Sequence, residues 1–192
     1  TDAAGYTASS TFTGQNQVAS VTDGLGNKTT FAYNQMEQLL EEVDALGGKT
    51  SYAYDALGHP IALVDANGHT TKMSYTPTAQ LKEVILPDGS SVTQEYDALD
   101  RLVKQTHSSG LITEYTYDAA DRLLTKKDNQ DLNESYTYDN AGNRLTLTNN
   151  LGEVTKYSYD SDNQLTKVEY ADGTSETFTY DVMGNVATST DQ

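Results

Sequence analysis

The sequence repeats with a period of 21 residues, and no insertion interrupts the series. An aromatic residue marks the same position in every repeat, beginning with Phe12. The tyrosines that continue the series are Tyr33, Tyr54, Tyr75, Tyr96, Tyr117, Tyr138, Tyr159 and Tyr180, and we call this position the register tyrosine. A fixed period of this length is typical of arrays whose repeats pack mainly against their neighbours. We therefore expect residues 1–192 to form a single array of about nine repeats.

Two further residue types recur in phase with the register tyrosine. An aspartate follows it directly at Asp55, Asp97, Asp118, Asp139, Asp160 and Asp181, whereas Asn34 and Thr76 replace it elsewhere. A glycine lies fourteen residues after it, at Gly26, Gly47, Gly68, Gly89, Gly110, Gly152 and Gly173, with Gly5 in the same phase and Asp131 as the exception. Aspartate side chains accept hydrogen bonds from turn amides, and glycine tolerates positive φ. Both series therefore predict tight turns.

The segments between the turns alternate with a period of two, which indicates β-strands. In residues 154–159, for example, Tyr157 and Tyr159 share one face while Lys156 and Ser158 share the other. A second aromatic residue lies two positions before the register tyrosine at Phe31, Tyr52, Tyr115, Tyr136, Tyr157 and Phe178, whereas Met73 and Gln94 depart from this pattern. A second strand begins with an aliphatic residue six positions after the register tyrosine, as at Leu81, Leu102 and Leu165.

Each repeat is thus predicted to be a β-hairpin, and nine hairpins give about eighteen strands. Open sheets of this width twist and curl. The sequence therefore predicts an all-β fold, a long, twisted and curved antiparallel sheet. We expect tyrosines stacked on tyrosines along this sheet to take the place of a conventional core.

Composition excludes several classes of partner and chemistry. The formal net charge is −16 at pH 7, which disfavours nucleic acid and anionic membrane surfaces because both are polyanions. Cysteine is absent, which excludes disulfides and thiol catalysis. No apolar run is long enough to span a bilayer, so we expect no membrane insertion.

The combined motif resembles a known repeat family. Residues 136–145, read as Tyr-Thr-Tyr-Asp-Asn-Ala-Gly-Asn-Arg-Leu, are similar to the YD repeat of the rearrangement hotspot (Rhs) family. Residues 115–123 and 52–58 match nearly as well, and the likeness covers essentially the whole chain. The family includes bacterial polymorphic toxins, the B and C components of insecticidal Tc toxins, cell-wall-associated YD-repeat proteins and the teneurins.

The resemblance implies a spiral shell built from these repeats. In the toxin members, the shell encloses a C-terminal effector, and a core segment at the end of the array closes the shell. This sequence shows neither such a segment nor a non-repetitive tail. The resemblance therefore implies a wall segment from a longer array in a secreted or cell-surface protein. Its partners would be the remainder of that array and a C-terminal effector domain.

The residues that commonly carry catalysis or bind metals fit structural roles here. Residues 23–26 and 65–68 lack the alternating oxygen ligands and the terminal glutamate of a calcium loop, so both are interpreted as turns. His59, His69 and His107 are the only histidines, and His59 and His69 adjoin turn glycines, where an exposed polar side chain is ordinary. A residue type that recurs in every repeat is better explained by packing than by catalysis. We expect no enzyme activity, no cofactor and no metal.

Two alternatives to a scaffold remain open at this stage. Hairpin repeats with stacked aromatics also occur in carbohydrate-binding and cell-wall-binding modules, although those depend heavily on tryptophan, which this chain lacks. Open terminal strands also favour end-to-end self-association of copies of the chain. The strict pairing of tyrosine and aspartate favours the scaffold.

Overall fold

A computed structural model of the chain describes residues 8–191, so Gly5 lies outside the described part. These residues form strands joined by turns and contain no helix, which confirms the all-β prediction. The strands are β1 (Ser9–Phe12), β2 (Val18–Thr22), β3 (Lys28–Tyr33), β4 (Leu39–Val43), β5 (Lys49–Tyr54), β6 (Pro60–Val64), β7 (Thr70–Tyr75), β8 (Leu81–Ile85), β9 (Ser91–Tyr96), β10 (Leu102–His107), β11 (Ile112–Tyr117), β12 (Leu123–Asp128), β13 (Asn133–Tyr138), β14 (Arg144–Thr148), β15 (Val154–Tyr159), β16 (Leu165–Glu169), β17 (Ser175–Tyr180) and β18 (Val186–Asp191).

The chain divides into two compact units, residues 1–93 and 94–192, with β1 to β8 in the first and β10 to β18 in the second. Within each unit, every strand pairs antiparallel with the next strand along the chain. The register is the same in both units, since Tyr54 pairs with Pro60 and Tyr138 pairs with Arg144. Each repeat therefore contributes one hairpin, as the alternation of side chains predicts.

A β-bulge lies beside Phe12 in the first hairpin and beside the register tyrosine in seven others. In β13 and β14, Thr137 pairs with Thr146 and Tyr138 pairs with Arg144, which leaves Leu145 as the extra residue. A bulge bends its strand and re-aims the side chains next to it. The register tyrosine therefore sits at a point where the ladder is locally irregular.

The two turns of a repeat share one geometry. In the turn after β5, the amide of Asp55 donates to the carbonyl four residues later at 2.9 Å, and the amide of Gly58 donates back to Asp55 at 3.1 Å. In the turn after β4, Asp44 and Gly47 form the same two bonds at 2.9 and 3.1 Å. The φ angles of Gly58 and Gly47 are 92° and 85°. Glycine recurs at these two places because a left-handed backbone is required there.

Glu37 and Ala79 occupy the position of Gly58 in their own repeats, and both take the left-handed conformation, with φ of 64° and 66°. For an L-amino acid this conformation costs about 1–2 kcal/mol. We expect Ala79→Gly to raise the free energy of unfolding by about 1 kcal/mol, measured by urea denaturation. The matched control is Ala120→Gly, because Ala120 lies in a turn without a positive φ. Ala120→Gly should lower stability by about 0.5 kcal/mol, and an equal response of the two variants would contradict this explanation.

The sheets have almost no fully buried core. Among residues 8–191, Val168 is the one hydrophobic side chain counted as buried, with 7% of its surface exposed. Ser20, Thr113 and Ser175 are the buried polar residues. Hydrophobic burial is ordinarily the main stabilising contribution in a domain of this size. Contacts between neighbouring repeats must therefore carry much of the cohesion.

Candidate functional site: the joints between repeats

The register tyrosine links its repeat to the preceding one through its hydroxyl group. The Tyr138 hydroxyl donates to the backbone carbonyl of Leu123 at 2.9 Å, and Leu123 begins the second strand of the preceding hairpin. The same bond spans fifteen residues from Tyr33 to Val18, Tyr54 to Leu39, Tyr75 to Pro60, Tyr117 to Leu102, Tyr159 to Arg144 and Tyr180 to Leu165, at 2.8–3.1 Å. We call this contact the joint.

The prediction of tyrosines stacked on tyrosines is wrong for these seven residues. One strand lies between successive register tyrosines, so two strand spacings place them about 9.5 Å apart. Aromatic rings interact at about 4.5–7 Å between centroids, so the rings do not reach each other. In the described part of the chain, the ring pair in contact is His59 with Tyr75, at 4.8 Å. The hydroxyl bond to the backbone replaces ring stacking as the link.

A second side chain strengthens the joint from the fifth position after the register tyrosine, and we call it the clamp residue. Arg122 is one example, and its Nε donates to Asp118 of the same turn at 2.7 Å. Its guanidinium carbon lies 4.9 Å from the ring centroid of Tyr138, the next register tyrosine. Its Nη1 donates to the Asp139 carbonyl at 2.7 Å. One arginine therefore joins its own turn, the next register tyrosine and the next turn, through cation–π and charge-assisted contacts.

Other clamp residues repeat this arrangement with different chemistry. Arg101 lies 5.0 Å from the Tyr117 ring, and the amides of Gln17 and Gln38 donate to carbonyls of the following turn at 2.9 and 3.0 Å. His59 stacks on Tyr75, and its Nδ1 lies 3.0 Å from Asp55. The expectation that His59 is an ordinary exposed turn residue is therefore wrong, because its side chain is only 26% exposed, whereas that of His69 is 61% exposed.

The aspartate after the register tyrosine closes the turn that carries the clamp residue. Asp55 Oδ1 accepts the amide protons of Leu57 and His59 at 2.8 and 2.9 Å, the pattern of an Asx turn. The same pair of bonds is made by Asp97, Asp118, Asp160 and Asp181. In the other turn, Asp23 and Asp65 use their Oδ1 atoms in the same way.

These hydrogen bonds stabilise the ionised carboxylates. The side-chain bond from the clamp residue, helped by the turn amides, holds the pKa of Asp55, Asp97, Asp139 and Asp181 below the usual value. For Asp118, the backbone amide of Arg122 has the largest effect in lowering the pKa. The turns are therefore built around charged aspartates at neutral pH.

The pKa values of several tyrosine hydroxyls are raised, in contrast to those of the turn aspartates, and the cause is burial. It raises the pKa of the register tyrosines Tyr54, Tyr75, Tyr117 and Tyr159. Burial, with a 2.6 Å hydrogen bond to Glu134, raises the pKa of Tyr136 to about 12. The hydroxyls of these four register tyrosines therefore remain protonated donors throughout the physiological range.

A groove of about 520 Å³ lies in the first compact unit, beside the His59 and Tyr75 pair. Met73 and Thr76, which depart from the repeat pattern, are among its lining residues.

Among residues 8–191, no three His, Asp or Glu side chains cluster in a way that could hold a metal ion. No helix in that part of the chain has the length and apolar character needed to cross a membrane.

Two family models match the chain. The Teneurin YD-shell model matches residues 88–190, which is more than half of the chain, and the RHS Repeat model matches residues 12–49 and 38–71. Among curated protein sequences, none matches.

Solved structures share the fold at low sequence identity. The crystal structure of TcdB2-TccC3-TEV has a TM-score of 0.79 and 16% identity over 96% of this chain. A Tc holotoxin pore from Photorhabdus luminescens has a TM-score of 0.60 and 16% identity over 93% of this chain. The chain spans 11% and 12% of those two structures, respectively. At this level of identity, the similarity concerns the fold.

Proposed function

Because the chain belongs to the teneurin YD-shell family, we propose that it is a structural wall segment of a YD-repeat shell. In this proposal, the shell encloses or presents a C-terminal effector domain, and the whole is a secreted or cell-surface protein. The chain's partners are then the other repeats of its own array and the effector. In the same proposal, residues 1–192 belong to one array, which is supported by the recurrence of the joint in both compact units.

The observation that carries the proposal is that the polar chemistry of the chain is repeated. The aspartate after the register tyrosine, the clamp residue and the register tyrosine itself make the same structural contacts in successive repeats. An active site is a singular arrangement of nucleophile, acid or base. The repeated groups instead bind the chain's own backbone, which supports a scaffold without catalytic activity.

The joints also weigh against the carbohydrate-binding alternative. A sugar stacks on an open aromatic face, but Arg101 and Arg122 lie over the rings of Tyr117 and Tyr138. The hydroxyls of the same tyrosines donate to the backbone. The register tyrosines are therefore already occupied by structural contacts.

Limited proteolysis of the complete protein that contains this chain tests the proposal. We expect the non-repeat C-terminal segment to survive protease under native conditions, because the wall excludes the protease from it. A Tyr117→Ala/Tyr138→Ala double variant should expose the segment at least about tenfold faster, because two adjacent joints are removed. Tyr115→Phe is the control and should leave the protection intact. Cleavage of the segment as fast as when it is produced alone would overturn the proposal.

A further inference from the structure

Arg144 departs from the repeat pattern at a position that is otherwise apolar. It lies six residues after the register tyrosine, where the other repeats have Val18, Leu39, Pro60, Leu81, Leu102, Leu123, Leu165 and Val186. The side chain is half-buried, and its guanidinium carbon lies 4.4 Å from the ring centroid of Tyr157. Tyr157 is the second aromatic of the next repeat. One arginine is thereby placed on the tyrosine-bearing face of the sheet.

This arginine has no carboxylate partner among the described residues. The two clamp arginines, by contrast, pair with Asp97 and Asp118 at 2.6 and 2.7 Å. The Tyr157 hydroxyl also has no hydrogen-bond partner in residues 8–191, whereas the hydroxyls of Tyr136 and Tyr159 donate to Glu134 and to the Arg144 carbonyl. Two adjacent groups therefore keep their donors available, in a chain with 28 acidic residues and 12 basic ones.

The surroundings of this pair are partly desolvated. Tyr157 pairs across the sheet with Val168, which is 7% exposed. Burial raises the pKa of Tyr136 and Tyr159, and the nearby Arg144 charge partly opposes that rise at both. A cation in such a setting is stabilised when an anion pairs with it, because water solvates it incompletely.

We propose that Arg144 and Tyr157 bind the carboxylate of an aspartate or glutamate side chain from a polypeptide lying on the tyrosine-bearing face. A guanidinium offers parallel N–H donors that match the two oxygens of a carboxylate, and the phenol adds a third donor. The occupant is the polypeptide that the shell encloses or presents, so this inference rests on the proposed function.

The charge of the chain favours a carboxylate over a phosphate at this site. One guanidinium balances the single charge of a carboxylate, whereas a phosphate dianion adds further repulsion from a chain with a net charge of −16. The same repulsion works against acidic polypeptides elsewhere on the chain. In this proposal, an acidic polypeptide is bound locally at Arg144, because the net charge of the chain repels it elsewhere.

Peptide titration of the 192-residue chain, followed by NMR of the arginine Nε–Hε groups, tests the proposal. The probe is acetyl-Val-Glu-Val-amide, compared with its Gln counterpart and with inorganic phosphate at equal ionic strength. We expect the Glu peptide to shift the Arg144 signal saturably and the Gln peptide to leave it in place. The Arg101 and Arg122 signals are internal controls and should not move, because the guanidinium groups of these arginines already pair with Asp97 and Asp118.

Arg144→Leu is the decisive variant, because it restores the aliphatic residue of the other repeats and should preserve the fold. We expect it to weaken binding of the Glu peptide at least about tenfold, and Tyr157→Phe to weaken it about threefold. Equal binding of the Gln peptide, unchanged binding by Arg144→Leu, or a larger response to phosphate than to the Glu peptide would overturn the proposal. The titration uses the array without an effector, so its failure would leave the protease-protection test of the wall unaffected.

Discussion

We expect Tyr138→Ala to lower the free energy of unfolding of the array by about 3 kcal/mol, and Tyr138→Phe to lower it by about 1 kcal/mol. Alanine removes both the ring beneath Arg122 and the hydroxyl bond to the Leu123 carbonyl. Phenylalanine removes only the hydroxyl and leaves the carbonyl without its donor. Urea denaturation followed by circular dichroism measures both values, provided that the slopes of the transitions agree between variants.

Tyr115→Phe is the matched control for the hydroxyl. Tyr115 is half-buried like Tyr138, but its hydroxyl has no hydrogen-bond partner among residues 8–191. We expect this substitution to change stability by less than about 0.5 kcal/mol. Equal losses for Tyr115→Phe and Tyr138→Phe would show that the bond across the joint does not stabilise the array.

We expect acid to destabilise the array, with stability falling as the pH drops below about 4. Nine aspartates have pKa values lowered from 3.8, chiefly by hydrogen bonds from turn amides and neighbouring side chains, at Asp23, Asp55, Asp65, Asp88, Asp97, Asp118, Asp139, Asp172 and Asp181. A carboxyl group whose pKa is lower in the folded state stabilises that state fully above its unfolded pKa. This contribution disappears as the pH falls through the folded-state pKa. The melting temperature should therefore be flat from pH 5 to 7 and decline as the pH falls below about 4.

Asp118→Asn tests whether protonation of the Asp118 carboxyl group, and not a change in turn geometry, causes part of the loss of stability in acid. Asparagine serves the same turn elsewhere, since Asn34 Oδ1 accepts the amides of Met36 and Gln38 at 2.9 and 3.0 Å. The variant keeps the turn acceptor but has no carboxyl group to protonate. We expect a shallower loss of melting temperature below pH 4 than in the unsubstituted chain. An unchanged slope would mean that Asp118 does not contribute to the acid response.

The strands and turns were predictable because their signals are local. Alternation over six residues identifies a strand, and a turn glycine such as Gly142 adopts the positive φ that only glycine takes without strain. Glu37 and Ala79 show the limit of this reasoning. Their side chains disfavour the left-handed conformation, yet the hairpins on either side impose it. Only the period of the array identifies these two positions.

The joint could not be derived from residue types because its acceptor is a backbone carbonyl, which every residue possesses. Reaching the Leu123 carbonyl from Tyr138 also depends on the β-bulge beside Tyr138 and on the spacing of the strands. The clamp left a weak signal, since Arg101 and Arg122 each lie five residues after a register tyrosine and four after an aspartate. That spacing is consistent with a turn ion pair, but it does not reveal the contact with the next tyrosine.

A cryo-electron microscopy structure of the complete protein that contains this chain tests the role of the array as a wall most directly. We expect the repeats to form a continuous sheet around a closed volume, with density for the non-repeat segment inside it. A map in which both faces of the array are open to solvent, with the non-repeat segment outside, would contradict the wall function.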